Sequence, residues 1–255
     1  MTVRAKKHLG QHFLRDESKA ENIVSFLSPH SKQILEIGPG KGILTQFLFQ
    51  RRECDVKIIE IDSEAVRHLE RIFPDRKRSI IHTDFLTVDL KSVFNGSFSV
   101  IGNFPYNISS QILFRLLENK SQVSEIIGMF QKEVAERIVS PPGKKDYGIL
   151  SVLMQAFYDL EIVMRLDEEY FSPPPKVKSA VVRMNRDNDK KLMSDEKVFF
   201  RVVKTAFNQR RKTLRNALSS LIPKDNLGRI PYLELRAEAL RWQQFDELAM
   251  LIGKS

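Results

Sequence analysis

The chain has 255 residues, 42% of them hydrophobic and 29% charged, which is the balance of a globular protein and excludes a disordered or fibrous one. Forty-one Lys and Arg against thirty-two Asp and Glu leave a net charge of +9, an excess that suits a polyanionic partner or simply a basic, soluble surface. Cys54 is the only cysteine, which excludes an intrachain disulfide and a multi-cysteine zinc site, and no apolar run reaches the roughly 18 to 20 residues of a membrane span; a reducing, cytoplasmic setting is expected.

Three short apolar runs come first: residues 33–37, 56–62 and 97–103, each the pattern of a buried strand. Between them residues 43–50 and 63–72 carry apolar side chains at helical spacing, with Ser63 as the expected N-cap. Strand and helix in alternation predict an α/β fold with a mainly parallel sheet covered on both faces. A helix capped by Ser109 or Ser110, a strand at 125–129, a helix at 132–139, a helical pattern at 147–158 and strands at 160–166 and 177–184 follow. Pro141-Pro142-Gly143-Lys144-Lys145-Asp146 breaks this series and predicts an exposed basic loop. Residues 185–191 are polar without periodicity, so the domain boundary is expected there: 1–186 as the main domain, 187–255 as a small all-helical one. Apolar spacing at Phe199, Val202, Val203, Ala206, then Leu214, Ala217, Leu218, Leu221, then Leu235, Ala239, Leu240 predicts helices throughout the latter.

Glu36-Ile37-Gly38-Pro39-Gly40-Lys41-Gly42 falls where the first strand meets the first helix, the place at which doubly wound folds hold a nucleotide. Its spacing is neither a dinucleotide fingerprint nor a P-loop, so pyrophosphate is not the expected ligand. Glu60 follows Gly38 by 22 positions, close to the roughly 20 that set a carboxylate against ribose hydroxyls. After the next strand, Asp84 can accept a hydrogen bond from an adenine amine while Phe85 flanks the ring. Taken singly, a glycine turn is as readily a plain loop and a lone Asp a helix cap. Together they favour an adenosyl ligand without phosphates, of which S-adenosylmethionine is the commonest cofactor. The five histidines lack any ligand spacing, so no metal is expected.

The third strand ends in Asn103-Phe104-Pro105-Tyr106. The N6 of adenine is a poor nucleophile because its lone pair is delocalised into the ring; a neutral amide oxygen on Asn103 and the carbonyl of Phe104 can accept its two hydrogens and favour a more tetrahedral nitrogen. Pro105 limits the backbone that aims this carbonyl, and Tyr106 offers a face for a base taken out of its stack. The alternative is an ordinary turn with Tyr106 packed.

With these motifs the chain resembles the rRNA adenine dimethyltransferases, most closely the type acting on small-subunit rRNA. Residues 6–14, 131–137, 173–177 and 207–214 extend the resemblance nearly end to end. It implies a Rossmann-like S-adenosylmethionine-dependent methyltransferase domain with a small helical C-terminal domain that binds RNA or the ribosome. It also implies two methyl transfers to the N6 of each of two adjacent adenosines near the 3′ end of small-subunit (16S) rRNA during ribosome biogenesis. The cofactor contacts it implies are His12, Leu14, Gly38, Glu60, Asp84 and Asn103, to which the reading of the residues themselves adds Gly40, Gly42, Ile61 and Phe85 as candidates; Asn103, Phe104, Pro105 and Tyr106 are expected to carry the chemistry. The family usually has Asn where His12 stands, so that contact is made by the imidazole or by the backbone. A backbone contact, which is the expectation, leaves cofactor affinity independent of pH.

Residues 201–216 contain Arg201, Lys204, Arg210, Arg211, Lys212 and Arg215 and no acid, and residues 1–15 are likewise one-signed with Arg4, Lys6, Lys7 and Arg15. Such stripes are solvated faces or phosphate contacts. Lys6, Lys7, Lys144, Lys145, Arg210, Arg211, Lys212 and Arg215 are the candidate RNA contacts. The expected partner is small-subunit rRNA within a partly assembled subunit, with no membrane and a monomeric enzyme. Two readings compete: a large-subunit rRNA adenine methyltransferase, and an assembly or transcription factor that keeps the fold without essential catalysis.

Overall fold

The computed structural model describes residues 3–222 and 228–253. Contacts divide the chain into two units, Met1–Ala135 with Glu161–Arg186, and Glu136–Leu160 with Asp187–Ser255. In chain order the first elements are β1 (Phe13–Leu14), α1 (Glu17–Ser25), β2 (Gln33–Ile37), α2 (Thr45–Leu48), β3 (Asp55–Glu60), α3 (Ser63–Ile72), β4 (Ile80–His82), β5 (Phe98–Asn103), α4 (Ser109–Glu118) and β6 (Val123–Gln131). There follow α5 (Lys132–Val139), α6 (Ile149–Gln155), β7 (Tyr158–Leu166), β8 (Phe171–Ser172), β9 (Ser179–Arg186), α7 (Glu196–Asn208), α8 (Leu214–Ala217) and α9 (Trp242–Gly253).

The main sheet runs β4-β3-β2-β5-β6-β9-β7. Its first five strands pair in parallel, and β9 joins β6 antiparallel. Neighbouring residues on a strand point to opposite faces, yet Ile34 and Leu35 on β2 and Val100 and Ile101 on β5 are all fully buried. Both faces of the sheet are therefore covered, as the continuous apolar runs require. On one face Ile34, Ile58, Ile101 and Ile127 join Ile23 and Val24 of α1, Leu48 of α2 and Leu69 of α3 in one cluster. Each such side chain removed from water stabilises the fold by roughly 1.5 to 3 kcal/mol.

Several boundaries differ from the sequence expectation for local reasons. The N-cap of α3 is Asp62, not Ser63: its carboxylate accepts from Glu64 N at 2.9 Å. Neither Ser109 nor Ser110 caps α4, whose N-cap is Ile108 without a side-chain bond; Ser109 Oγ instead donates to the Tyr106 carbonyl. The two-residue strands β1 and β8 pair antiparallel, Phe13 with Ser172 and Leu14 with Phe171, and are too short to carry an alternating pattern.

In the second unit, α7 buries Phe199, Val202, Val203 and Ala206, and α9 buries Phe245, Leu248 and Ala249. Asp246 of α9 accepts from Met193 N and Ser194 N, tying down the approach to α7. Residues 136–160 belong here although they precede the polar stretch at 185–191, because Tyr147 packs on Phe207, Phe157 packs on Phe199, and the Tyr147 hydroxyl donates to the Leu240 carbonyl. The unit is less helical than its spacing predicts. Leu214 N donates to Leu235 O and Arg215 N to Leu233 O, so residues 233–236 run alongside the start of α8 and Leu235 is exposed, with only a 3-10 turn at Ala237–Ala239.

Among the buried acids of the first unit, one lies in the middle of the sheet. Glu36 on β2 is buried, and Thr45 Oγ1 donates to its Oε2 at 2.6 Å. Burial outweighs that bond, and with the neighbouring Glu60 it pushes the Glu36 carboxyl up to about 8. A carboxyl raised in the folded state contributes stability fully present below its unfolded value, and that contribution is lost as pH rises through the folded one. Glu36→Gln keeps the shape and removes the titration. The gain in Tm of Glu36→Gln over the parent should therefore grow between pH 5 and pH 8.5, on the order of 5 °C, in thermal melts across that range.

Candidate active site

β3 and β4 lie on one side of β2, and β5 and β6 on the other, so the chain reverses its direction of sheet building between β2 and β5. Crevices form at the carboxyl ends of strands at such a switch point. Here the segments following β2, β3, β4 and β5 enclose, together with residues 8–13, a cavity of about 260 Å³. Gly38, Gly40, Glu60, Ile61, Asp84, Phe85 and the whole Asn103-Phe104-Pro105-Tyr106 segment line it, as does His12.

The glycine turn is left-handed at Gly38 (φ 67°), Gly40 (φ 56°) and Gly42 (φ 83°), a conformation that other residues adopt only at a cost. Gly40 also faces a close neighbour: a Cβ there would lie 2.7 Å from Phe13 Cε1. Gly42 does not reach the cavity. Its missing side chain makes room for Leu69 and Phe73, so it serves the packing of α3 rather than a ligand. Leu14, also expected among the cofactor contacts, is buried in the apolar cluster and does not line the cavity either.

Glu60 is buried at the end of β3, with Oε2 accepting from Gly40 N at 3.1 Å and Oε1 from Asp62 N at 2.8 Å. Burial raises its pKa against these bonds and a further one from the Ile61 main chain. A carboxylate has about four acceptor positions, so one remains for a ribose hydroxyl. Ile61 lines the cavity while 50% exposed, an apolar surface that an adenine ring would cover. Asp84 Oδ1 accepts from Leu86 N at 2.9 Å, which fixes the carboxylate at the cavity wall.

At the end of β5, Asn103 Nδ2 donates to the His12 carbonyl at 2.7 Å. A carbonyl only accepts, so this bond settles which end of the amide is which and leaves Oδ1 as the free acceptor. The Phe104 ring is fully buried, edge-on to Phe130 with centroids 5.3 Å apart. Gly102 and Gly128 are paired across β5 and β6, and a Cβ on either would come within 2.8 Å of that ring. This socket was invisible in the sequence, where both glycines read as ordinary strand residues. The Tyr106 hydroxyl lies 2.5 Å from Ser179 Oγ on β9, and burial raises its pKa.

Residues 8–12 form a further wall of the cavity. They are fastened by Lys6 Nζ on Asp62 Oδ1 at 2.6 Å, by Asn103 on the His12 carbonyl and by Asn107 Nδ2 on the His8 carbonyl at 3.3 Å. Asp62, although buried, has its pKa lowered, chiefly by Lys6 acting against desolvation. Asn107, like Gly102 and Gly128, was not singled out by the sequence.

A family model for ribosomal RNA adenine dimethylase matches residues 2–234. The chain belongs to this family. A "Ribosomal RNA small subunit methyltransferase A" of Cytophaga hutchinsonii is 51% identical over 255 residues, covering 99% of each chain. One of Flavobacterium johnsoniae is 52% identical over 252 residues, 98% of this chain and 96% of its own. Among solved structures, a dimethyladenosine transferase from Plasmodium falciparum shares the fold, with a TM-score of 0.80 at 22% identity, over 95% of this chain and 98% of that one. The 23S rRNA methyltransferase ErmE gives 0.69 at 25% identity, over 94% and 99%. As an rRNA adenine dimethylase the protein is a methyltransferase that uses S-adenosylmethionine. The cavity residues fit that group: a carboxylate with a spare acceptor position, an apolar wall and a side-chain-free turn are what an adenosyl moiety needs.

The dimethylase's candidate RNA contacts fall into two kinds. Lys6 is paired with Asp62, Arg215 with Glu234 at 2.6 Å, and Arg210 with Glu238 at 2.7 Å while also donating to the carbonyls of Lys144 and Lys145. Lys144, Lys145, Arg211 and Lys212 are exposed, and their side chains have no ion pair among the described residues. The side chain of Lys7 lies outside the described residues. Among those residues no helix is long and apolar enough to cross a membrane.

Gly40→Ala should cost about 2 kcal/mol, combining the left-handed backbone with the collision on Phe13. Gly143→Ala, at φ 81° with nothing within 4 Å, should cost only the backbone share, about 1 kcal/mol. Urea denaturation of both variants checks the difference, and calorimetry with S-adenosylmethionine should show weaker binding for Gly40→Ala alone.

Proposed function

We propose that this dimethylase transfers two methyl groups to the N6 of each of two adjacent adenosines near the 3′ end of small-subunit rRNA, acting as a monomer on a partly assembled subunit in the cytoplasm. The observation that carries this reading is the Asn103 amide, held by its Nδ2 on the His12 carbonyl with Oδ1 free at the cavity wall. The relatives at about half identity over nearly the whole chain, named as small-subunit methyltransferases, support the choice of rRNA. The single free thiol, Cys54, is buried and agrees with a reducing compartment.

In this reading Gly38, Gly40, Glu60, Ile61, Asp84 and Phe85 hold the adenosyl end of the donor. Bound S-adenosylmethionine supplies an electrophilic methyl group on sulfur. Asn103 Oδ1 and the Phe104 carbonyl accept the two N6 hydrogens of the target adenine, drawing its lone pair out of the ring and toward the methyl carbon. The bound donor would give up its methyl group and keep the sulfur electron pair, and because an alkylated nitrogen sheds its proton readily the chain needs to provide no strong base. The Tyr106 ring receives the extruded base.

The large-subunit alternative has one finding in its favour, the ErmE likeness at 25% identity. Primer extension on both rRNAs after incubation with labelled methyl donor separates the two; stops confined to the large-subunit rRNA would overturn the proposal. A non-catalytic assembly factor would transfer no label to immature small subunits.

Asn103→Ala should lower turnover by about 10²-fold or more while changing S-adenosylmethionine affinity only a few-fold, because it removes an interaction made to the reacting nitrogen. Single-turnover methylation and calorimetry test this; full turnover in the variant would refute the clamp.

The exposed cations of the second unit are assigned to phosphates. Replacing Lys144, Lys145, Arg211 and Lys212 together with Ser should flatten the dependence of log affinity on log salt by about 3 to 4 units and leave cofactor affinity intact. Replacing Arg210 alone acts through the loop it holds and should change the slope by less than one unit. Filter binding of small-subunit RNA over a salt series gives both slopes.

A further inference from the structure

His12 makes two contacts beyond the main-chain carbonyl that orients Asn103. Its Nδ1 lies 2.8 Å from the Pro173 carbonyl oxygen; since that oxygen can only accept, Nδ1 carries the hydrogen. Its ring is stacked against Tyr106, with centroids 5.4 Å apart and planes inclined by 24°. Tyr106 is meanwhile held at its other end, where the hydroxyl meets Ser179, a fully buried residue. The tyrosine ring is thus restrained at its tip and on one face.

The geometry points to the His12 imidazole as a positioning residue for Tyr106, bracing the aromatic platform on which the target adenine stacks. This rests on the reading of residues 103–106 as the acceptor clamp. A single residue then serves both halves of that clamp, its main chain setting the amide acceptor and its side chain setting the stacking surface. The base must use the tyrosine face that the imidazole leaves open. A ring already fixed in its stacking orientation loses no further freedom when the base arrives, whereas a free one must be ordered at that moment. Pro173 supplies the anchor for the brace, which ties the segment between β8 and β9 to the chemistry although none of its side chains lines the cavity.

The test uses His12→Ala, which removes ring and hydrogen bond, and His12→Phe, which restores a ring in the same place. Both retain the main-chain carbonyl. Substrate is small subunits reconstituted with rRNA carrying either adenosine or 2-aminopurine at one target position, the latter reporting extrusion and stacking through its fluorescence. His12→Ala should lower kcat at saturating subunit by about tenfold, keep the S-adenosylmethionine dissociation constant within about twofold, and abolish most of the fluorescence change. His12→Phe should recover at least about half of that change and of kcat. The proposal is overturned if His12→Ala keeps both kcat and the fluorescence change, if it enhances the change, which would mean the imidazole competes with the base, or if His12→Phe is no better than His12→Ala. Failure of the unaltered chain to form dimethyladenosine would instead overturn the reading of the clamp, and this proposal with it.

Discussion

The hydrogen bond from Asn103 Nδ2 to the His12 carbonyl is the constraint on which the site turns. An amide presents a donor at one end and an acceptor at the other, and the chemistry assigned to this pocket needs the acceptor facing the incoming amine. Rotating the amide by half a turn would bring a donor to a donor. The bond also closes the pocket, because residues 8–12 are held over the strand ends by that contact together with Lys6 on Asp62 and Asn107 on His8. Acceptor orientation and pocket closure are one event in this protein, not two.

Support for that arrangement comes from below. The backbone at residues 103–106 can leave β5 at the required angle because the Phe104 ring drops into a space where two glycines face each other on adjacent strands. A methyl group on either would be far closer to the ring than packing tolerates. The carbonyl proposed to contact substrate is therefore positioned by its own side chain, anchored in the sheet. The buried acids Glu36 and Glu60 sit in the same layer, and each is held by donors rather than by a basic residue. They are costly groups whose cost is accepted next to a ligand crevice, which is where perturbed carboxyls gather.

How much of this was readable in advance depends on the range of the interaction. The runs at Gln33–Ile37 and 97–103 gave β2 and β5 nearly residue for residue, since burial on both faces leaves an unbroken apolar stretch. The glycine turn, Glu60, Asp84 and residues 103–106 were legible as candidates because each follows a strand directly, and they meet in one cavity. What stayed hidden was long-range. Nothing near Gly42 in the sequence says that it faces Leu69 instead of a ligand, and nothing near Arg210 says that Glu238 neutralises it. The β1–β8 pair and the non-helical stretch at 233–236 escaped for the complementary reason: their local patterns are weak or helical, and tertiary pairing overrides them.

The wall formed by residues 8–12 has a consequence for how the molecule is made. These residues are synthesised well before their partners Asn103 and Pro173, which lie 91 and 161 positions further on. During synthesis this segment cannot make those contacts until β5 has formed and the chain beyond β8 has emerged. Contacts so distant in sequence form late, after the loops between them have closed. The wall of the candidate pocket can accordingly close only after β5 and the chain beyond β8 are available, so a nascent chain completes this crevice on a scaffold already in place.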